Sequence, residues 1–195
     1  MTPFRALRLE SLAAFSVVML WALCLVAIFD NRDPHAFGSH FGQFFSRPVD
    51  VIYVVVSLIL LLSFSPTRQE SWRVRLVRLA VAAALNFGIV EGIKRLVWLP
   101  RPGHHNTVGL HAGFPSGHTV PAFLLAWLLS RVFPRWAPLW FGLATAIAWS
   151  RVQVHAHFTY QVVLSAVIGS AIGWLCYHIV PSQSESQSRH REVIS

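Results

Sequence analysis

The stretch WRVRLVRLAVAAALNFGIVEGIKRLVWLPRP, residues 72–102, combines the two features that decide the fold. Its central part, residues 76–93, is a nearly continuous apolar run, and a helix needs about 20 such residues to cross the hydrocarbon of a membrane. Lys94 and Arg101 follow the run together with Pro100 and Pro102, and proline stops helical continuation. The stretch therefore predicts a membrane-spanning helix that ends in a cationic loop.

The composition of the whole chain also indicates a membrane protein. Of its 195 residues, 54% are hydrophobic and 12% are charged, whereas soluble domains carry about 25% charged residues. The net charge of +8 is high, but most basic residues flank apolar runs, which is typical of membrane topology, so no nucleic-acid partner is expected. Cys24 and Cys176 lie within apolar runs, so no disulfide framework is indicated.

Apolar runs predict six membrane spans, at about residues 12–29, 49–64, 76–93, 119–133, 137–150 and 162–180. The first run is expected to be retained as a span, because no small-residue cleavage site follows it. The runs predict an all-α fold, an integral membrane bundle of six transmembrane helices over residues 1–181. The polar residues 182–195 are expected to form a disordered tail.

The basic residues predict the orientation of this bundle. Ten of them fall on the side that holds both termini, and six fall on the other side. Because loops rich in Lys and Arg stay in the cytoplasm, both termini are expected to be cytoplasmic, and residues 94–118 and 150–161 are expected on the exterior side.

Three polar segments lie at span ends on the predicted exterior side. The first runs from Lys94 to Arg101, the second is the sequence PSGH at 115–118, and the third contains Arg151 and His157. Lys supplies a compact charge, whereas Arg supplies a planar fork that grips two phosphate oxygens. Ser at the start of a helix caps it, Gly allows close approach, and free N–H groups there favour an anion. The three segments together suggest a pocket for phosphate, with histidine available as nucleophile or acid.

These segments resemble the type 2 phosphatidic acid phosphatase (PAP2) superfamily, whose pattern is K-x6-RP, PSGH and SR-x5-H-x3-D. The resemblance covers about residues 50–180 and implies a six-helix core, no metal or other cofactor, a phosphohistidine on His157 and acid catalysis by His118. It implies phosphate binding by five further residues, namely Lys94, Arg101, Ser116, Gly117 and Arg151. It also implies a bacterial inner-membrane phosphatase acting on a lipid phosphate or diphosphate, such as undecaprenyl diphosphate, phosphatidylglycerophosphate, phosphatidic acid or a lipid A phosphate.

One position departs from the family pattern, because Gln161 stands where the final Asp is expected. An i, i+4 pair lies on one face of a helix, so the Gln161 oxygen is expected to accept a hydrogen bond from Nδ1 of His157. Gln161 is thus the third expected catalytic residue, although it lacks the negative charge. On this interpretation Gln161→Asp raises turnover or leaves it unchanged, and Glu91 is the nearest carboxylate in sequence that could substitute.

Other functions stay open on the sequence alone. The same intermediate would serve a lipid phosphotransferase, and Gln161 suggests a weakened member that binds lipid phosphates without hydrolysing them. A transporter or channel is disfavoured because the spans carry few charges. Zinc binding by the histidines at positions 104, 105, 111, 155 and 157 fits no standard spacing. The sequence does not indicate an oligomeric state.

Several residues have a structural interpretation beside the functional one. Each cation taken singly, Arg95 above all, is typical of a helix end whose side chain reaches the membrane interface. Asp50 is expected to cap a helix. Trp72, Trp98 and Trp136 are expected near the membrane interfaces, and Gly169 with Gly173 is expected to pack closely within the monomer.

Overall fold

The computed structural model describes residues 42, 45, 48–64, 70–102 and 112–180. Its regular elements in these ranges are helices, which confirms the all-α prediction. They are α1 (Pro48–Ser63), α2 (Trp72–Leu96), α3 (Thr119–Val132), α4 (Ala137–Gln153) and α5 (Thr159–Ile179), with a turn of 3₁₀ helix at Pro134–Trp136. The expected first span, the tail at 182–195, and the histidines at 104, 105 and 111 lie outside the described residues.

Two of these helices, α2 and α5, are long and apolar enough to cross a membrane. Helices α1 and α3 are apolar but shorter, and the 14 residues of α3 correspond to a length of about 21 Å, against about 30 Å of hydrocarbon. The five predicted helices that fall in the described residues are present within a few residues of their expected bounds, whereas the crossing of the membrane by six helices stays a prediction.

Helix α3 lies at the centre of the bundle and packs against α5, α4 and α1. Its side chains from Val120 to Leu129 are almost all buried, including Phe123, Leu128 and Leu129. Two glycines of α5 allow the close approach of α3: a Cβ on Gly169 would overlap the carbonyl oxygen of Val120, and a Cβ on Gly173 would lie 2.7 Å from Cβ of Trp127. The glycine pair therefore packs within the monomer, as predicted.

The outer surface of the bundle is apolar. Helix α1 alone exposes seven large apolar side chains, Val51, Ile52, Val55, Val56, Leu58, Ile59 and Leu62, as expected of a helix that faces lipid. Trp72, Trp98 and Trp136 lie at helix ends with about three fifths of their surface exposed, where amphipathic rings are favoured at a membrane interface.

Arg78, which is paired with Glu70, ties the first part of α2 to the end of α5. The Arg78 guanidinium lies 2.5 Å from Oε1 of Glu70, donates hydrogen bonds to the carbonyl of Val180 and stacks 4.1 Å over the Tyr177 ring. The start of α2 thus meets the end of α5, so the two helices are antiparallel. The end of α2 and the start of α5 therefore meet at the opposite end of the bundle.

Candidate functional site

That opposite end brings together the three polar segments singled out in the sequence. The amide of Gly113 donates to the carbonyl of Leu99 over 2.7 Å, which joins the loop after α2 to the loop before α3. The amide of Ser116 donates to Oγ of Ser165 over 2.8 Å, and this Oγ donates to the carbonyl of Gln161. The start of α3 is thereby fixed against the first turns of α5.

A tight turn between α4 and α5 sets His157 next to Arg151. The amides of Ala156 and His157 both donate to the carbonyl of Arg151, at 3.0 and 3.2 Å. The turn requires a left-handed residue, and His155 adopts φ 52° there, a conformation that is uncommon for a residue with a Cβ. His155 is exposed in this position, whereas the His157 side chain is turned into the protein.

The His157 ring is buried and oriented by the main chain. Its Nδ1 lies 2.7 Å from the carbonyl oxygen of Gly113. Since a carbonyl oxygen only accepts hydrogen bonds, Nδ1 carries the ring proton, and Nε2 keeps a lone pair. The sequence interpretation gave this acceptor role to Gln161, whereas the nearest acceptor is the Gly113 carbonyl.

The electrostatic surroundings keep this ring neutral. Burial lowers the pKa of His157 to about 4, and the positive charges of Arg101 and Arg151 act in the same direction. The hydrogen bonds to Gly113 and, to a smaller extent, to the Gln161 side chain favour the protonated ring and oppose the shift in pKa. At neutral pH the Nε2 lone pair is therefore available as a nucleophile.

Gln161 is fully buried and joins three parts of the site. Its Oε1 accepts from the amide of Phe158 over 3.1 Å, which caps the first turn of α5. Its Nε2 donates to the carbonyl of Pro100 over 2.9 Å and to the Tyr160 hydroxyl over 3.3 Å. An aspartate is shorter and, when ionised, has no hydrogen to donate, so the two hydrogen bonds that Nε2 donates are specific to the amide.

Gly113 lies in a crowded position. A Cβ added there would lie 2.6 Å from the carbonyl oxygen of Pro100 and 2.9 Å from Nε2 of Gln161. Because position 113 has no side chain, the Gly113 carbonyl can reach His157 while the Gln161 amide donates to the carbonyl of Pro100 in the neighbouring loop.

His118 stands at the start of α3, at the position that precedes its first helical residue. Its Nε2 lies 3.6 Å from Oδ2 of Asp50 in the first turn of α1. Partial burial lowers the pKa of His118 to about 4, and the charges of Arg151, Arg101 and Lys94 contribute. Arg101 and Arg151 thus influence both histidines, which shows that the four side chains share one electrostatic environment.

Lys94 lies on the last turn of α2, and its Nζ is 3.5 Å from Oε1 of Glu91. The sequence interpretation considered Glu91 as a substitute for the missing carboxylate beside His157, but its ion-pair partner is Lys94. An atom placed where a Gly117 Cβ would be lies 3.9 Å from this Nζ. Gly117 therefore leaves open space beside the Lys94 ammonium.

Ser116 caps α3 through its hydroxyl oxygen. This oxygen accepts from the amide and the hydroxyl of Thr119, at 3.3 and 3.0 Å. Both contacts use Ser116 as an acceptor, so its own O–H remains a donor. Among the described residues, no three His, Cys, Asp or Glu side chains are grouped as a metal site.

Two contributors to the site were not predicted from the sequence. Nothing in the sequence indicated the role of the Gly113 carbonyl, because every residue has a main-chain carbonyl. Asp50 did have a sequence signal: it is an acid at the end of an apolar run that the topology places on the same side as Lys94 and His118. It was interpreted as a helix cap, whereas its carboxylate lies beside His118 on another helix.

Comparison with known proteins gives a family and a fold. The model of the PAP2 superfamily matches residues 75–185. The crystal structure of Aquifex aeolicus LpxE is similar at 24% identity, with a TM-score of 0.53 over 80% of this chain and 94% of that one. A transmembrane PAP2-type phosphatidylglycerolphosphate phosphatase from Bacillus subtilis is similar at 17% identity, with a TM-score of 0.47 over 84% of this chain and 94% of that one. A search of curated proteins gave no match.

Proposed function

This chain belongs to the PAP2 superfamily, whose model matches more than half of its residues, and on that premise we propose that it is an integral membrane lipid phosphatase. It removes the terminal phosphate of a lipid phosphate or diphosphate and uses no metal. The apolar outer surface of the bundle agrees with a substrate that is itself held in the membrane. Undecaprenyl diphosphate, phosphatidylglycerophosphate, phosphatidic acid and lipid A phosphates are the candidates.

One observation carries this proposal: Nδ1 of His157 is held by the Gly113 carbonyl over 2.7 Å. The opposite nitrogen, Nε2, then has the lone pair that attacks phosphorus, and the result is a phosphohistidine. The ring lies in the positive field of Arg101 and Arg151, where a phosphate is attracted. Covalent transfer splits one difficult displacement into two easier ones, because water needs to attack only the activated phosphohistidine.

The cations bind the phosphate and stabilise its charge during transfer. Arg101 and Arg151 hold its oxygens with their planar forks, and Lys94 adds a point charge. Gly117 lets the oxygens approach the main chain at the start of α3, and the Ser116 hydroxyl donates to one of them. In a partly buried site these fixed charges stabilise the equatorial oxygens more strongly than water does.

His118 is the acid that protonates the departing lipid oxygen. In the ligand-free site its pKa is about 4, so the ring is neutral at pH 7. A bound phosphate neutralises the field of Lys94, Arg101 and Arg151, which raises the pKa of His118 and allows it to take up the proton. After transfer, the neutral ring accepts a proton from the water that attacks the phosphohistidine.

The membrane position of the site follows from the predicted topology. With both termini in the cytoplasm, the site faces the exterior side of a bacterial inner membrane. A lipid headgroup at that surface reaches the site while its chains stay in the bilayer.

Purified protein in detergent, with EDTA present to chelate magnesium, tests this function against a panel of the four candidate lipid classes. We expect release of inorganic phosphate by the wild type, loss of release in His157→Ala, and acid-labile radiolabelled phosphate on the wild-type protein. His178→Ala is the matched control, since His178 lies at the far end of α5 and contacts the Trp174 carbonyl. Release that persists in His157→Ala contradicts the mechanism, and transfer of phosphate to a second lipid identifies a phosphotransferase.

A further inference from the structure

Asp50, in the first turn of α1, and His118, at the start of α3, face each other. Oδ2 of Asp50 lies 3.6 Å from Nε2 of His118, and the carboxylate side chain is only 14% exposed. The pair is held in register one turn further along: the Tyr53 hydroxyl donates to the carbonyl of Ala122 over 3.1 Å. Because Tyr53 follows Asp50 by three residues and Ala122 follows His118 by four, this bond fixes the carboxylate opposite the imidazole.

The other charged groups that face His118 are all cationic. They are Lys94 from α2, Arg101 from the loop after α2 and Arg151 from α4, and each disfavours a positive charge on the ring. The nearby His157 is neutral. A carboxylate close to an imidazole favours the protonated ring, so among the described residues Asp50 is the acidic group placed to oppose the three cations.

We propose that Asp50 is the positioning partner of His118 and that its carboxylate keeps the ring protonated in the substrate-bound site. This inference rests on the proposed function. In the proposed role Asp50 acts through His118, and the positive charge of Arg151 also acts on Asp50. The negative charge that the family pattern places beside the nucleophile therefore stands, in this chain, beside the acid.

The proton balance of the reaction gives Asp50 a defined role. The bond from phosphorus to the lipid oxygen breaks as the bond from Nε2 of His157 to phosphorus forms, and the proton on His118 goes to the leaving oxygen. His118 is then neutral. It takes a proton from the water that attacks the phosphohistidine, which releases inorganic phosphate and restores the starting pair, while Asp50 stays a carboxylate throughout.

Two leaving groups distinguish this role from a structural one. The rate of phosphoenzyme formation is measured by rapid quench with a lipid alkyl phosphate, whose leaving oxygen needs a proton, and with p-nitrophenyl phosphate, whose leaving oxygen does not. We expect Asp50→Asn to lower the rate of phosphoenzyme formation at least tenfold with the alkyl phosphate and less than threefold with p-nitrophenyl phosphate. The alkaline limb of the kcat profile for the alkyl substrate is expected to move to lower pH, because His118 loses its proton more easily.

Matched variants complete this experiment. Asp50→Glu is expected to recover part of the alkyl rate. Glu91→Gln removes the same charge from beside Lys94 and is expected to leave the ratio of the two rates at its wild-type value. The proposal is overturned if Asp50→Asn lowers the rate of phosphoenzyme formation equally with both substrates. It is also overturned if the alkaline limb of the kcat profile does not move.

A titration that needs no activity separates this inference from the proposed function. His118 is followed by NMR in histidine-labelled protein saturated with inorganic phosphate, and its signal is assigned by its loss in His118→Gln. We expect a lower pKa for His118 in Asp50→Asn than in the wild type. If the wild type forms no phosphoenzyme but this pKa falls, the pairing stands and the phosphatase function fails; an unchanged pKa overturns the pairing itself.

Discussion

Nδ1 of His157 lies 2.7 Å from the carbonyl oxygen of Gly113, a residue that precedes it by 44 positions. The proposed nucleophile is thus oriented mainly by the main chain of a loop, and the Gln161 side chain makes a smaller contribution. This contact explains how a chain with Gln at position 161 keeps a histidine in the tautomer that leaves Nε2 unprotonated. It also changes what substitutions around the site are expected to do.

Gln161→Asp is expected to lower phosphate release by roughly tenfold or more, the opposite of the expectation from the sequence. The aspartate cannot donate to the Pro100 carbonyl, and its buried charge would lie near that oxygen; an unsatisfied buried polar group costs about 1–3 kcal/mol, and a charged one costs more. Initial rates and the midpoint of thermal unfolding, measured together, check this. A rate equal to or above that of the wild type would show that a carboxylate serves His157 better than the amide does.

Gly113→Ala is expected to reduce kcat by about 100-fold, because a misplacement of about 1 Å in a catalytic group costs that much. The new Cβ would lie 2.6 Å from the Pro100 carbonyl oxygen, so the loop must shift and the acceptor of Nδ1 moves with it. The control is Gly142→Ala on α4, where a Cβ meets no atom within 4 Å. Equal activity of the two variants would contradict the orienting role of the Gly113 carbonyl.

The thermal stability of the ligand-free protein is expected to fall as the pH is lowered from about 6.5 to about 4. Both histidines have a pKa of about 4 in the folded chain and about 6.5 when unfolded. Between these values the unfolded chain binds more protons, so stability rises with pH. Unfolding followed by tryptophan fluorescence checks the slope, which should be shallower in His157→Gln; an identical slope in that variant would refute the lowered pKa.

Gly169→Ala is expected to destabilise the protein by about 1–3 kcal/mol, the usual cost of overpacking. Its Cβ would overlap the Val120 carbonyl oxygen at the contact between α5 and α3. Gly88→Ala on α2 is the control, since nothing lies within 4 Å of the new Cβ and alanine favours a helix. The free energy of unfolding of the two variants should therefore change in opposite directions.

Arg78→Met is expected to cost about 3–5 kcal/mol, because it removes the cation that pairs with the buried Glu70 carboxylate. The double variant Glu70→Met with Arg78→Met removes both charges and should regain most of that loss. Free energies of unfolding for the single and double variants form a thermodynamic cycle. Losses that simply add would show that Glu70 and Arg78 are not energetically coupled.

The apolar runs predicted the helices well, because burial in a bundle or in lipid selects the same side chains. The run at 76–93 became α2 at Trp72–Leu96, and the run at 119–133 became α3 at Thr119–Val132. The runs did not reveal the positions of the helices in the bundle: hydropathy alone does not indicate that α3 is the central helix, covered by other helices.

The site was predictable where its chemistry resides in side-chain identity. Lys94, Arg101, His118, Arg151 and His157 could be selected because their residue types and spacing form ordered blocks. The role of Gly113 and the contact of Gln161 with Pro100 could not be predicted. They depend on how segments meet that are far apart in the sequence, by 44 residues between Gly113 and His157 and by 61 residues between Pro100 and Gln161. Asp50 lies in the first turn of α1, where an acid was expected, but its approach to His118 on another helix could not be predicted from the sequence.

The single carbonyl of Arg151 receives the amides of both Ala156 and His157, and this arrangement has a consequence for evolution of the loop. The number of residues between Arg151 and His157 is therefore fixed by the structure. Adding or removing one residue would rotate the imidazole out of reach of the Gly113 carbonyl. The number of residues between positions 151 and 157 is therefore constrained more strictly than the residue types of the exposed part of the turn, where position 155 must adopt a left-handed backbone.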